Sequence, residues 1–504
     1  MKKNLAEKNT FFVVTTLIIL ILFSLGVRYW HIRKGILPFS LDPFYHMASS
    51  SYMVENKTFT NNTYNVLGNA DYPPLLPLIG ASAGLMGFDL IVFYKYFALA
   101  IAAVLGILMY LFLRYFFSPW PAVIGSIGYL SIPYVMHRTI LTLPENLSLV
   151  FILAVILLLA HLNEQAKIAK TLLISASIII VIIVNYFCHF TYLISIAITI
   201  LNIFFLLLYK KKWIYALIVG ICALIVGYFV KPLIIGNFSF ALPELDVINK
   251  HFGYFPFLIG TIGLIGTIIF FSKTKKKVLL YSLLFVFVGG WFFYQGSGQG
   301  LFRLEKERWL ILVGIALAIG FAGIAQIFHN YVKNIWVKIL FYFFISIFLF
   351  WPRWSSAWPQ IYNTSEYEAA LYIKEHLPRN ALYFSQPILE WLITGVGNRY
   401  VIWGSGQAHD DLATVDFSLL AKLALSFNKN SAYIVFSENP NNPENETLIS
   451  DGSKEPLDLS GILETPGIKK ERFSCLPMEW SNSVVTIYSV PLSDFDFSKC
   501  TQDK

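Results

Sequence analysis

Charged side chains are what this chain has least of. They make up 13% of its 504 residues, against about a quarter in ordinary soluble proteins, while 56% of the residues are hydrophobic. That balance argues against a water-soluble fold. A small-residue cleavage site is also missing behind the first apolar run. Phe11 to Val27 follows a basic Met-Lys-Lys start and leads straight into RYWHIRKG, so it reads as an anchoring helix and not as a cleaved signal. No internal repeat of solenoid or transporter period is present, and no low-complexity tract. Cysteine is rare: Cys188 and Cys222 sit in or beside apolar runs, whereas Cys475 and Cys500 fall in a polar C-terminal region, where a disulfide and an unpaired structural role both stay open.

What the chain does have is a succession of apolar runs, each about long enough to cross a hydrocarbon core as a helix. They cover residues 11 to 28, 89 to 113, 119 to 135, 146 to 162, 170 to 187, 190 to 208, 213 to 230, 254 to 272, 278 to 294, 309 to 328 and 335 to 351. With the N-terminus inside, the inner loops carry Arg114, Lys167 with Lys170, Lys210 to Lys212, Lys273 with Lys275 to Lys277, and Lys333, with few acids beside them. This is the positive-inside pattern. It accounts for part of the formal charge of +8 without a nucleic-acid partner. The apolar stretch Leu75 to Gly87 is too short for a span and opens at Pro73-Pro74, so it reads as interfacial or re-entrant.

The fold expected is a polytopic α-helical membrane protein of about 11 to 13 spans, residues 1–352, followed by a soluble α/β domain on the outer side, residues 353–504. Within that domain TSEYEAALYIKEHLPRN is an amphipathic helix ended at Pro378, and ALYFS, SAYIVF and SVVTIYSV are strand-like. The outer face receives the first long loop, residues 29–88, and the loop 231–253. Its acids are Asp42 in SLDPFYHMASS, Asp71, Glu145 in HRTILTLPENL, and Glu244 in FSFALPELDVINKHFG, and Arg308 opens a span in LEKERWLILVG. Carboxylates suit a hard divalent ion such as Mn²⁺ or Mg²⁺, and an arginine suits a phosphate. Together they fit neutralisation of a leaving phosphate or pyrophosphate. Taken singly, an acid near a helix end is most often a cap or a solvated loop charge.

These segments resemble the GT-C membrane glycosyltransferases, and more narrowly the catalytic subunit of archaeal oligosaccharyltransferase. In that likeness LDPFYHM makes Asp42 the counterpart of the first metal ligand, HRTILTLPENL places Glu145 at the first acid of the second motif, and ALPE places Glu244 at the acid of the TIxE motif. ERWLILVGIALAIGFAG resembles the segment whose arginine holds the lipid-linked pyrophosphate, which gives that role to Arg308, and Arg138 is a second candidate for the donor phosphate. Two departures stand out. Leu147 occupies the place of the second acid, and SQPILEWLITGVGNRYVIWG lacks the WWDYG that reads an acceptor sequon.

The resemblance implies metal-assisted transfer of a sugar or oligosaccharide from a polyprenyl or dolichyl (pyro)phosphate to a protein or glycan acceptor. Catalytic and metal-binding roles go to Asp42, Glu145 and Glu244. Peripheral candidates are Asp71, Tyr72, His46, Trp391 and Arg399, with Asn398 beside the last; packing of the outer domain is the favoured alternative for Trp391, Asn398 and Arg399, and a turn and helix start the alternative for Asp71. His46, His137, His189 and His251 lack metal-site spacing and are not assigned as ligands. The expected location is a multi-pass plasma-membrane protein with a cytoplasmic N-terminus and an extracellular C-terminal domain. A lipid-linked sugar flippase or transporter and a non-catalytic homologue remain as alternatives. A transporter usually hides polar groups near the bilayer midplane, whereas most spans here are plain Ile, Leu, Val and Phe at their centres.

Overall fold

Apolar runs with no exposed backbone to solvate are confined to helix, and the computed structural model has them so. It describes residues 2–38, 40–66, 72–165, 167–222, 248, 251–271, 274–293, 310–350, 362–385, 387–401, 417–438, 473–493 and 497. The helices are α1 (Lys2–Ile32), α2 (Asp42–Asn56), α3 (Leu75–Leu85), α4 (Leu90–Phe116), α5 (Pro119–Ser131), α6 (Pro133–Arg138), α7 (Pro144–Glu164), α8 (Ile168–Tyr186) and α9 (Tyr192–Tyr209). They continue with α10 (Trp213–Cys222), α11 (Tyr254–Phe271), α12 (Lys277–Phe293), α13 (Leu310–Tyr331), α14 (Ile335–Phe350), α15 (Thr364–His376), α16 (Pro387–Gly395) and α17 (Phe417–Ser426). Among the described residues, 7 helices are long and apolar enough to cross a membrane: α1, α4, α7, α8, α9, α11 and α13. The run expected as one span over 119–135 is instead two helices. Pro133 has no N–H to continue the ladder, and Ile132 before it takes an extended ψ of 128°.

Contacts divide the chain into two units. The first comprises Met1–His31, Ala98–Ile140 and Pro144–Ala357. Its centre is α13, in which every residue from Leu310 to Gly323 is buried, as expected of a helix that is apolar all round. Small residues let α11 and α13 touch backbone to backbone. A Cβ on Gly320 would collide with the carbonyl of Gly260, and one on Gly263 with that of Gly320. Polar side chains within this unit are matched to one another: Asn163 and Asn202 exchange reciprocal 3.0 Å hydrogen bonds between α7 and α9.

The second unit comprises Ile32–Phe97, Leu141–Leu143 and Trp358–Lys504. Its sheet has five strands in the order β2-β1-β3-β5-β4: β1 (Ala381–Ser385), β2 (Tyr400–Val401), β3 (Ser431–Ser437), β4 (Met478–Ser481) and β5 (Val485–Val490). β1 lies parallel to β2 and β3, while β5 runs antiparallel to β3 and β4. Strand side chains alternate between faces. Tyr383, Tyr433 and Ile487 therefore pack on one side with Ile373 of α15 and Leu392 of α16, and Leu382, Ile434 and Tyr488 on the other with Leu420 and Ala424 of α17. α15 starts with a capping box between Asn363 and Glu366, at 2.9 and 3.0 Å, and Ser437 of β3 donates to the other oxygen of Glu366 at 2.8 Å. Cys475 is disulfide-bonded; Cys188 and Cys222 are free thiols.

The first long loop belongs to this second unit. Tyr64 and Val66 exchange backbone hydrogen bonds with Val401 at the sheet edge. α2 packs against α16, where Gly395 admits it: a Cβ there would lie 3.0 Å from the Phe44 carbonyl oxygen. The Leu75–Leu85 stretch forms a helix directly after Pro74. Its 11 residues span about 16 Å, roughly half a hydrocarbon core. Gly80 makes room there for Ser50 of α2 and Tyr94 of α4, whose hydroxyls lie 2.8 Å apart.

Candidate active site

In the membrane unit, the turn between α6 and α7 gathers the polar groups. Pro144 and Glu145 open α7, so the carboxylate sits where the helix dipole favours an anion. Glu145 forms an ion pair with Arg138, the last residue of α6, and both side chains are largely buried. Asn146 donates to the Arg138 carbonyl at 2.7 Å, which fixes the turn. From α1, the buried Arg28 guanidinium donates to Thr139 Oγ1 at 2.9 and 3.0 Å, to the Leu130 carbonyl at 2.9 Å and to Ser24 Oγ at 2.5 Å. The residue next to Arg138 is thus held by a fork that only an arginine can supply.

His189 faces the same carboxylate, its Nε2 lying 3.8 Å from Glu145 Oε2. Its Nδ1 accepts from the Thr191 N–H at 3.2 Å, so a neutral ring carries its proton on Nε2, toward Glu145. Thr191 Oγ1 bonds in turn to Ser148, which donates to Asn185 at 2.5 Å. Tyr134, Arg138, Glu145, His189 and Thr191, with Leu149 and the α13 residues Ile311 and Leu312, line a cavity of about 20 Å³, room for roughly one water. A guanidinium and one imidazole N–H among apolar walls are donors that suit a phosphate oxygen, although a whole phosphate needs more room than this cavity gives.

In the second unit, Asp42 begins α2 and is exposed. The chain enters through Ser40 in the left-handed region at φ 68°, and Pro43 sets the first turn. Tyr45 and His46 follow on the same helical face as Asp42. The structure brings Tyr72 and Trp391 to that face, with ring centroids 5.9 and 5.6 Å from Tyr45 and Tyr72 5.1 Å from His46. His46 is buried, which pushes its pKa down to about 3 and keeps the ring neutral. Arg399 is also buried. It donates to the carbonyls of Lys374 (2.6 Å) and Leu377 (2.9 Å), closing the end of α15, and to those of Gly397 and Asn398.

Thus Arg138 pairs with Glu145 in one unit, and Asp42, His46, Tyr72 and Trp391 gather in the other. Glu244, Arg308 and Asp71 lie outside the described residues. Sequence reasoning passed over His189, whose signal was only its position in a short turn after an apolar run, and Tyr45, which lies one turn beyond Asp42. Among the described residues no three His, Cys, Asp or Glu side chains converge. The carboxylate oxygens of Asp42 and Glu145 have the hardness that Mn²⁺ or Mg²⁺ requires, but Glu145 already serves Arg138.

No family model matches the sequence, and no curated protein matches it by sequence. By structure the chain is similar to archaeal oligosaccharyltransferase AglB from Archaeoglobus fulgidus in complex with an inhibitory peptide and a dolichol-phosphate. The match has 14% identity and a TM-score of 0.63, over 85% of this chain and 70% of that one. The oligosaccharyltransferase of the same organism in complex with Zn and sulfate matches at 14% identity and 0.61, over 84% and 67%. ArnT from Cupriavidus metallidurans bound to undecaprenyl phosphate matches at 13% identity and 0.52, over 97% and 99%. At such identities the likeness shows the fold. The chain is a multi-pass membrane protein of GT-C architecture with a C-terminal α/β domain, as the LDPFYHM and ERWLILVG segments led one to expect.

Proposed function

We propose that a protein with this fold is a glycosyltransferase that moves a sugar or oligosaccharide from a polyprenyl or dolichyl (pyro)phosphate to an acceptor at the outer membrane surface. The observation that carries the reading is the Arg138–Glu145 pair, held at the start of α7 beside His189 in a mostly apolar cavity. The likeness to structures that hold dolichol-phosphate and undecaprenyl phosphate supports it.

In this reading residues 1–352 bind the lipid-linked donor and residues 353–504, outside the membrane, receive the acceptor. Arg138 and Arg308 take the donor phosphate. Arg308 precedes Ile311 of the cavity wall by three positions in sequence. The His189 Nε2–H, directed at Glu145, is a third donor to the same anion. Asp42, exposed at a helix start, orients the acceptor and takes up its proton as it attacks the anomeric carbon. Asp42, Glu145 and Glu244 are the residues that would hold Mn²⁺ or Mg²⁺, which when bound neutralises charge on the leaving phosphate. Tyr72 and Trp391 flank the acceptor next to Asp42. A protein acceptor is one option under this reading and a glycan the other, since WWDYG is absent.

One observation favours a second reading, a non-catalytic homologue: the place of the second acid holds Leu147, packed into the core at 9% exposure. The test is purified protein in nanodiscs with extracted lipid-linked glycans and Mn²⁺, offered a sequon peptide beside glycan and lipid acceptors. The expected result is a glycosylated product that Asp42→Ala abolishes. Lipid binding without any product selects the second reading.

A further inference from the structure

Lysines gather where helices of the membrane unit end. α9 closes at Tyr209 and runs into Lys210, Lys211 and Lys212, and α12 opens at Lys277, directly behind Lys275 and Lys276. The two basic turns are far apart in sequence, but α12 packs along α9. The rings of Phe205 and Tyr281 meet at 6.4 Å, and the Lys277 ammonium lies 5.7 Å from the centre of the Tyr209 ring. Lys276 reaches the end of α4 instead: its ammonium lies 5.1 Å from the Tyr115 ring centre and donates to the Tyr115 carbonyl. Both distances to a ring are those of cation–π contacts. Lys210 to Lys212 are exposed, and Lys275 to Lys277 are half-buried. Glu164, at the end of α7, is the acid whose charge reaches Lys276. Yet among the described residues no carboxylate forms an ion pair with any of these lysines.

α9 starts beside Thr191, which lines the Arg138–Glu145 cavity. Its 18 residues span about 27 Å, close to the thickness of a hydrocarbon core, so the lysines stand at the opposite end of the bundle. Like charges gathered in one patch repel and call for counter-anions. At that end of a spanning helix the membrane supplies them as lipid phosphodiesters. Tyr209 and Trp213, 42% and 65% exposed, are of the types that settle at headgroup level. Just beyond them α10 is apolar, with Ile214 and Leu217 exposed, a surface for acyl chains. We infer that the 210–212 and 275–277 turns together form a site for the headgroup of an anionic glycerophospholipid. It is separate from the place proposed for the donor phosphate. It does not rest on the transferase reading, because binding is read without any sugar.

The test is native mass spectrometry of the full-length protein in detergent, titrated with phosphatidylglycerol and, separately, with phosphatidylcholine. The parent is expected to bind phosphatidylglycerol at least about tenfold more tightly than phosphatidylcholine. Replacing Lys210, Lys211 and Lys212 together by glutamine should weaken phosphatidylglycerol about a hundredfold, at about fivefold per lysine. These side chains are exposed, so the melting temperature in phosphatidylcholine should not change. Lys277→Gln should weaken the same lipid about fivefold, because its turn belongs to the same site. Lys333→Gln, exposed in the turn after α13 and outside both basic turns, should leave the affinity unchanged. Glycerol 1-phosphate separates a lipid site from a site for a soluble anion, and it should not displace the lipid. Equal binding of the two lipids, displacement by glycerol 1-phosphate, or parent-like affinity in the triple variant or in Lys277→Gln overturns the site. A loss in Lys333→Gln equal to that in Lys277→Gln overturns it too, since the charge would then act diffusely over the whole surface.

Discussion

Replacing Glu145 by glutamine should make the protein bind a lipid phosphate more tightly while removing its activity. The side chains of Arg138 and Glu145 are 14% and 12% exposed, so the pair is screened less than a surface pair. Opposite unit charges about 4 Å apart at an effective dielectric near 20 attract by about 4 kcal/mol. A phosphate approaching Arg138 must displace that carboxylate and then remain beside it. The glutamine keeps the size of the side chain but removes the competing charge. If a third to a half of the Coulomb term is recovered, the gain is about 1.4–2 kcal/mol, or roughly ten- to thirtyfold in Kd. The assay is titration of nanodisc-embedded protein with fluorescent polyprenyl phosphate in the presence of a chelator, so that no metal contributes. Arg138→Met serves as the opposite control and should weaken binding. Parent-like affinity in Glu145→Gln would show that Arg138 does not meet the phosphate, and the donor-site assignment would fail.

Three further outcomes follow from the structure. Gly320→Val drives a side chain into the Gly260 carbonyl and should cost about 1–3 kcal/mol or more, seen as a lower melting temperature in detergent; Gly26→Ala, with nothing within 4 Å, should be neutral or better. Arg28→Lys replaces a fork that reaches Leu130, Thr139 and Ser24 with a single ammonium, and should lower stability by about 2 kcal/mol in a denaturant titration; an unchanged midpoint would contradict the role given to Arg28. His46 takes up a proton in the unfolded chain near its ordinary 6.5 but in the folded protein only near 3. Its stabilising contribution is therefore complete above pH 6.5 and declines as pH falls toward 3, by up to about 1.4 kcal/mol per pH unit. His46→Phe should show a shallower loss of stability across that window, measured by thermal melts at stepped pH.

Much of the architecture is legible in the sequence because hydropathy, in a chain so poor in charge, admits one solution: helix. The strands ALYFS and SAYIVF and the helix beginning at Thr364 were equally plain, marked by runs of β-formers and by amphipathic spacing that ends at Pro378. What stayed hidden had weak local signals. β2 is two residues long, and β4 is mostly exposed, so neither has a pattern to read. The break at Ile132 is written in Pro133, but the apolar run around it masks the proline. The membership of α2 and α3 in the same unit as the C-terminal sheet rests on contacts far apart in sequence, such as Tyr64 with Val401.

The candidate site divides the same way. Asp42 and Glu145 were found from short motifs at helix starts, and their places in α2 and α7 are those that a helix dipole favours. Arg399 was a candidate because of its neighbours in GNR; in the structure its NH groups meet four backbone carbonyls, a pattern that leaves no mark on local sequence. His189 was set aside for want of metal-site spacing, since only folding brings it to Glu145.

The most direct measurement is product formation from a lipid-linked glycan in nanodiscs, read by mass spectrometry across peptide, glycan and lipid acceptors. A glycosylated product is expected with the parent protein, and none with Asp42→Ala or Glu145→Gln although the latter binds lipid phosphate more tightly. Transfer by Asp42→Ala at the parent's rate would contradict it, and so would a parent protein that binds the lipid phosphate and yields no product with any acceptor.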